Sequence, residues 1–324
     1  MKITHKISNN SLSKNYDHII AWGCGPLFRA HYDKSFFPLD YIIDGTGKQV
    51  GEKIYGIEVL PHNELTNLDG KTLVVIYTIY EAEILQQISH LSVNVDTIVY
   101  SLIEISLDNN IILPESNAKY AEDMLLLKLL RQLEISELQY IEIGVCHPIM
   151  RNNTFLFHQL FSNTPNYKGV LVEANPICWP LIEEYRPNDF LIKKGVSTQK
   201  GELPFYVFPN LLGYSTFVPS QAEKTSKRGY QYSVINVETD CLNNIISDYF
   251  NRTPDLLALD AEGLDSTIIE QWDYIKYPFK VIIVEYMDES EFPLKETMTK
   301  RGYHIYATTR ENMIWVRNDA HVQV

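Results

Sequence analysis

Apolar residues in this chain gather in short runs, and many of the runs end at a glycine or an acidic residue. His18 to Trp22 runs into Gly23, Tyr41-Ile42-Ile43 into Asp44, Tyr140 to Ile143 into Gly144, Lys168 to Val172 into Glu173, and Val281 to Val284 into Glu285. Thr72 to Tyr77, Thr97 to Leu102, Phe190 to Lys194 and Leu256 to Ala258 are further runs of this kind. Uniformly apolar runs of this length suit strands buried on both faces of a parallel sheet. Stretches with helical spacing lie between them, at Glu81 to Ser89, Lys119 to Leu133 and Thr154 to Phe161. The closing segment, Gly302 to Arg317, alternates apolar and polar residues about a turn at Arg310-Glu311-Asn312, which predicts an antiparallel hairpin. The pattern as a whole predicts an α/β protein whose chemistry lies at the carboxyl ends of its strands.

With 324 residues there is room for two domains. The first, residues 1 to 105, is expected to be a small Rossmann-like unit. Gly23-Cys24-Gly25-Pro26 follows its first strong strand, Pro26 suits the opening position of a helix, and Asp44 comes about twenty residues later. Phe28 replaces the small third residue of a dinucleotide fingerprint and should push the helix off the strand. The succession IIDGTGKQVGEKIYGIEVLP is similar to the small Rossmann-like domains that accompany sugar-nucleotide-modifying enzymes. Residues 106 to 118, polar and containing Pro114, read as a linker, and 119 to 324 as the second domain with an amphipathic lead-in helix.

Charge narrows the partners. With 28 basic and 41 acidic side chains the formal charge is −13, which disfavours nucleic acid. No apolar run approaches the roughly eighteen residues of a bilayer span, and the first residues lack an apolar signal core, so a cytoplasmic protein is expected. Cys24, Cys146, Cys178 and Cys241 form no C-x-x-C pair, so neither a structural zinc nor a redox dithiol is indicated. The sequons at Asn152 and Asn251 read as chance occurrences. The reading leaves room for a homo-oligomer.

The second domain carries the chemistry. A single glycine, Gly144, in the first turn is too little for a pyrophosphate cradle, but it would let backbone approach a ligand. Glu142 would meet an amino group or a sulfonium and repel a diphosphate. Glu173, at the next strand end, could accept bonds from both hydroxyls of a ribose, and Gly195-Val196-Ser197 could flank an adenine. A phosphate-free adenosyl ligand, S-adenosylmethionine, fits this set. Asp260, Glu262 and Glu285 should share one crevice and offer a general base, a site for a divalent cation such as magnesium, or both. His158 is a reserve base, set within the apolar FLFHQLF.

The motifs YIEIGVCHP, RNNTFLF, GVLVEANP, YRPND, STF, LDAEGLD and VIIVE, in that order from Tyr140 to about Asn318, resemble the FkbM family of S-adenosylmethionine-dependent methyltransferases. The resemblance implies a seven-stranded, mostly parallel class I methyltransferase sheet and methyl transfer to a hydroxyl of a sugar or natural product. By motif position, Gly144 with Val145 and Cys146 would face the cofactor, Glu173 and Ala174 its ribose side, and Asn153 and Thr154 the methionine end or its supporting loop. Asp260 and Glu262 would stand at the reaction centre. Val145-Cys146 replaces the Ala-Asn usual in the family and removes an amide side chain from the first turn.

The expected acceptor is a sugar nucleotide or glycan precursor of surface polysaccharide, recognised by Pro209 to Tyr232 through aromatic and basic side chains. Two other readings compete: a nucleotide-sugar oxidoreductase working through the first domain, disfavoured by Phe28 and the lack of a Tyr-x-x-x-Lys pair, and a non-catalytic module that binds glycan intermediates.

Overall fold

The computed structural model describes residues 4–8, 12, 14–91, 93–105, 110–286 and 292–320. The chain divides into two compact units, Met1–Lys128 and Leu129–Val324.

In the first unit β1 (Thr4–Ser8) is followed by β2 (His18–Trp22), α1 (Pro26–His31), β3 (Tyr41–Asp44), β4 (Lys53–Ile54), β5 (Ile57–Pro61), β6 (Thr72–Ile76), α2 (Glu81–His90), β7 (Val95–Val99), β8 (Glu104–Ile105) and β9 (Asn110–Pro114). Among the described residues six strands form a sheet in the order β4-β5-β3-β2-β6-β7, parallel except for β4. From β2 the chain builds outward to β3 on one side and β6 on the other, so the order reverses at the carboxyl end of β2. Ile19 to Trp22 and Leu73 to Ile76 are buried, as their unbroken apolar runs require. Phe28 is also fully buried, its ring edge-on to Tyr77 at 5.2 Å, and fills the space a small residue would leave between helix and strand.

Two expectations shift here. The Thr97 to Leu102 run ends as a strand at Val99 and continues as a short 3-10 turn. The segment read as a linker supplies β9, which pairs antiparallel with β1 and β8 in a separate sheet; its Ile111-Ile112-Leu113 run has strand propensity that the polar neighbours masked. Residues 106–109 of that segment lie outside the described residues.

Helix α3 (Glu122–Gln132) carries the chain into the second unit. There follow β10 (Gln139–Ile143), α4 (Phe155–Phe161), β11 (Lys168–Val172), α5 (Trp179–Tyr185), β12 (Phe190–Ile192), β13 (Gly195–Val196), β14 (Gly201–Val207), α6 (Pro219–Ser226), β15 (Ser233–Asp240), α7 (Leu242–Tyr249), β16 (Leu256–Leu259), α8 (Asp265–Gln271), β17 (Val281–Glu285), α9 (Phe292–Lys300), β18 (Tyr303–Thr308) and β19 (Asn312–Arg317). The main sheet has the order β12-β11-β10-β16-β17-β19-β18, with β19 antiparallel between β17 and β18. This is the seven-stranded, mostly parallel order that the resemblance implies, closing hairpin included. A smaller sheet, β13-β15-β14, is formed by strands that fall between β12 and β16 in sequence, and α6 falls inside the stretch read as an acceptor loop.

Register decides what this sheet can do. Ile143 pairs with Val172 on one side and Leu259 on the other, and Leu259 pairs with Val284. The next residues, Gly144, Glu173, Asp260 and Glu285, therefore leave the sheet at one level on one edge. Alternation sends Ile141, Ile143, Val172, Leu257 and Leu259 into one apolar core, and Tyr140 and Glu142 to the opposite face. Among the described residues no helix is long and apolar enough to cross a membrane.

Candidate active site

At the shared edge, the backbone of Gly144 runs against that of Asp260. Gly144 has φ 81°, and a Cβ there would fall 1.8 Å from the Asp260 carbonyl oxygen. Its N–H donates to Val172 O at 3.0 Å, while Asp260 N–H donates to Ile143 O at 3.0 Å, so the turn is stitched to both neighbouring strands. The room a Cβ would need is taken by the neighbouring strand's carbonyl, while the Gly144 backbone itself lines the cavity described below.

Glu173 holds the same turn from the other side. Its Oε2 accepts the Cys146 N–H at 2.8 Å and its Oε1 the Asn175 N–H at 2.7 Å, and the Val145 and Ala174 amides also donate to it. Burial pushes the carboxyl above its ordinary value against the pull of those amides. A carboxylate accepts about four hydrogen bonds, so this one organises its loops first.

Between these turns lies a cavity of about 80 Å³. Of the residues expected at a cofactor, Gly144, Cys146, Glu173, Ala174 and Val196 line it, together with Asp260 and Glu262. Lys194, Phe205, Leu212, Gly213, Ser215 and Phe217 line it too and were not named as cofactor residues. Phe217 packs against Gly195, where a Cβ would meet the tip of its ring at 2.3 Å. Its signal in the sequence was the STF motif, which carried the resemblance without being given a role.

Asp260, Glu262 and Glu285 come together. One carboxylate oxygen from each lies within 4.8 Å of the others, a spacing that could hold a metal ion. Asp260 Oδ1 is buried without a hydrogen-bond partner. Glu262 has φ 47°, an uncommon conformation for a residue with a side chain, and is held there by the Thr216 hydroxyl donating to its carbonyl at 2.8 Å. Asp265 braces the turn by accepting the Ala261 and Gly263 amides at 2.8 and 3.2 Å. Burial first, then the negative charge of Glu285, pushes Asp260 well above the usual carboxylate range and Glu262 up to about 9. Three carboxyls this close can share a proton or take a cation between them.

The other expected residues go elsewhere. Glu142 faces away from the cavity and accepts Thr154 Oγ1 at 2.6 Å and Asn152 Nδ2 at 2.9 Å. Arg186 stands over them, Nη2 donating to the Tyr140 hydroxyl at 2.6 Å and to Thr154 Oγ1 at 3.0 Å, and Nε to Asp189 Oδ2 at 2.6 Å. His158 Nδ1 lies 3.1 Å from that same Asp189 oxygen, off the hydrogen-bonding direction. Glu142, Thr154 and His158 thus belong to a buried polar cluster on the opposite face of β10. This corrects the expectation that Glu142 meets a sulfonium and that His158 serves as a base: strand alternation turns Glu142 from the acids, and His158, on helix α4, lies beside Asp189 in the same buried cluster. Burial pushes Glu142 up to about 7, with the Arg186 guanidinium pulling the other way. Ser197 also turns away, donating to Gln199 O at 2.7 Å. Val145 is buried and Asn153 half-buried, and neither lines the cavity.

The model of the methyltransferase FkbM domain matches residues 142–305. The chain belongs to the FkbM methyltransferase family. It is a methyltransferase, and its FkbM domain takes in every residue lining the cavity described above. Methyltransferase sdnD of Sordaria araneosa is 25% identical over 185 residues, covering 47% of this chain and 69% of that protein. Among solved structures, methyltransferase FkbM from Methylobacillus flagellatus KT aligns at 9% identity and TM-score 0.31, covering 95% of this chain and 92% of that one. Fibrillarin from Aeropyrum pernix, solved with bound S-adenosyl-L-methionine, aligns at 13% identity and TM-score 0.33, covering 66% and 81%.

Proposed function

We propose that the FkbM domain takes its methyl group from S-adenosylmethionine and delivers it to a hydroxyl of a sugar, carried as a sugar nucleotide or glycan precursor of surface polysaccharide. The observation that carries this reading is the meeting of Glu173, Asp260 and Glu262 around one cavity at one sheet edge, with Glu285 close to the latter two. A sulfonium supplies an already activated methyl group. The chain's work is then to position an oxygen and accept its proton, and positioning of this kind is worth roughly 7 to 11 kcal/mol.

The residues suit such a cofactor. Glu173 would meet a ribose by giving up part of its hold on the loop amides, and Phe217 adds an aromatic ring beside Gly195. The acid cluster lies where the positive charge of a sulfonium would favour ionised carboxyls. A volume of about 80 Å³ is well below that of an ordinary ligand pocket, roughly 300 to 1,000 Å³, so entry requires the Leu212–Tyr214 turn and Phe217 to move outward. Asp260, whose Oδ1 has no protein partner, takes the hydroxyl proton in its ionised form, which a neighbouring positive charge favours against the repulsion of Glu262 and Glu285. The same three oxygens are the place where a divalent cation such as magnesium would bind, through hard oxygen ligands.

Incubation with isotopically methyl-labelled S-adenosylmethionine and a panel of sugar nucleotides, followed by mass spectrometry, tests the reading. One methyl per sugar, with S-adenosylhomocysteine released, supports it. Label on nitrogen, or on none of the sugars, removes the acceptor assignment. A parallel reaction in chelator separates a metal-dependent proton transfer from one made by Asp260 alone.

A further inference from the structure

The first unit contains a cleft of about 900 Å³ at the carboxyl ends of β2, β3 and β6, where the strand order of its sheet reverses. Clefts at that position in open α/β sheets are the usual places for ligands. Gly25, on its wall, has φ −77° and ψ −162°, a conformation open to any residue, and a Cβ there would meet nothing within 4 Å. Neither the backbone nor the packing requires a glycine, and its missing side chain leaves the cleft wide.

Two buried groups on the floor have no hydrogen-bond partner, the Trp22 indole Nε1 and the Tyr77 hydroxyl. A Cβ on Gly45 would stand 3.1 Å from Trp22 Nε1 and 3.2 Å from Gln87 Oε1, so a donor and an acceptor border one gap beside that glycine. A donor and an acceptor at one gap suit a ligand that carries both on one edge, as a nucleobase does. Ile79 and Tyr80, 71% and 61% exposed, stand at the rim.

Charge sets the ligand class. Asp44 and Glu83 line the cleft and, among the described residues, no lysine or arginine does. Asp44 spends its carboxylate on the Thr46 and Gln49 amides and the Thr46 hydroxyl, which shapes the loop and keeps a negative charge there. A phosphate would face two carboxylates with, among the described residues, no lysine or arginine lining the cleft to offset them.

We propose that this cleft binds a nucleoside without phosphates, its base against the Trp22-Gln87 edge and its apolar face on the rim residues. The proposal does not depend on the activity of the FkbM domain. Calorimetric titration of the full chain with adenosine, guanosine, cytidine and uridine, and with their 5′-diphosphates, tests it. Saturable binding of at least one nucleoside is expected, with its diphosphate at least tenfold weaker. Gly25→Trp, which fills the cleft without backbone strain, and Ala30→Trp, at an exposed position on the same wall, should each weaken that nucleoside at least tenfold. No saturable nucleoside binding, a diphosphate that binds as well or better, or affinity unchanged in whichever variant keeps its circular dichroism spectrum would overturn the proposal.

Discussion

Arg186 Nε lies 2.6 Å from Asp189 Oδ2, and both side chains are wholly excluded from solvent. The pair sits three residues apart at the end of α5, yet through Tyr140, Asn152 and Thr154 it fixes the loop that leaves β10. Removing the cation strands Glu142 and Asp189 in the interior. Arg186→Leu should lower the unfolding free energy by about 3 to 5 kcal/mol in urea denaturation. Arg186→Lys keeps the charge but loses the planar fork, and should recover only part of the loss. A change below 1 kcal/mol in Arg186→Leu would show that the cluster is dispensable.

Asp260→Asn keeps shape and removes the proton acceptor. Turnover at saturating S-adenosylmethionine should fall by about 10² to 10⁴, with binding of S-adenosylhomocysteine nearly unchanged. Equal turnover in the variant and the parent chain would take Asp260 out of the proton transfer.

Glu262 makes stability depend on pH. Burial and Glu285 raise its carboxyl from 4.5 to about 9 in the fold, so between those values the folded chain keeps a proton that the unfolded chain has released. Its contribution is complete below 4.5 and is lost as pH climbs toward about 9. Glu262→Gln removes this titration. In thermal scans from pH 5 to 9 the variant should show a flatter fall in Tm and a higher Tm at pH 8, by about 2 to 4 °C for each kcal/mol recovered. Parallel curves for the two proteins would contradict the assignment.

Cys146 lies at the cavity with its backbone in a left-handed turn, φ 51°. A hydrogen bond from the Cys178 thiol draws the Cys146 thiol below its ordinary value, with burial opposing. Iodoacetamide at pH 8 should therefore modify Cys146 before the other cysteines and abolish methyl transfer. Prior saturation with S-adenosylhomocysteine should slow the reaction at least tenfold, as peptide mass mapping can show. Equal rates with and without that ligand would place it away from Cys146.

Strand positions were readable because buried parallel strands leave uniform apolar runs, and the level at which Gly144, Glu173, Asp260 and Glu285 emerge follows from where those runs end. Sidedness was harder. Glu142 is one residue from a cavity-lining strand end, and only alternation within β10, together with a partner forty-four residues on at Arg186, turns it to the other face. Phe217 was hidden for a different reason: its place over Gly195 depends on a long-range fold-back of the β14 to α6 segment, which local pattern does not encode. The polar surroundings of Ile111 to Leu113 concealed β9, whose partner strand lies at the opposite end of the first unit's sequence.

Because β19 is inserted between β17 and β18, the last strand of this sheet to be synthesised occupies an internal place. Until it emerges from the ribosome, β17 presents a bare hydrogen-bonding edge and Trp315 is missing from the apolar interior it completes. The domain therefore cannot finish folding residue by residue during translation, and a chain stalled before Asn312 offers nascent β17 as an adhesive edge to its neighbours.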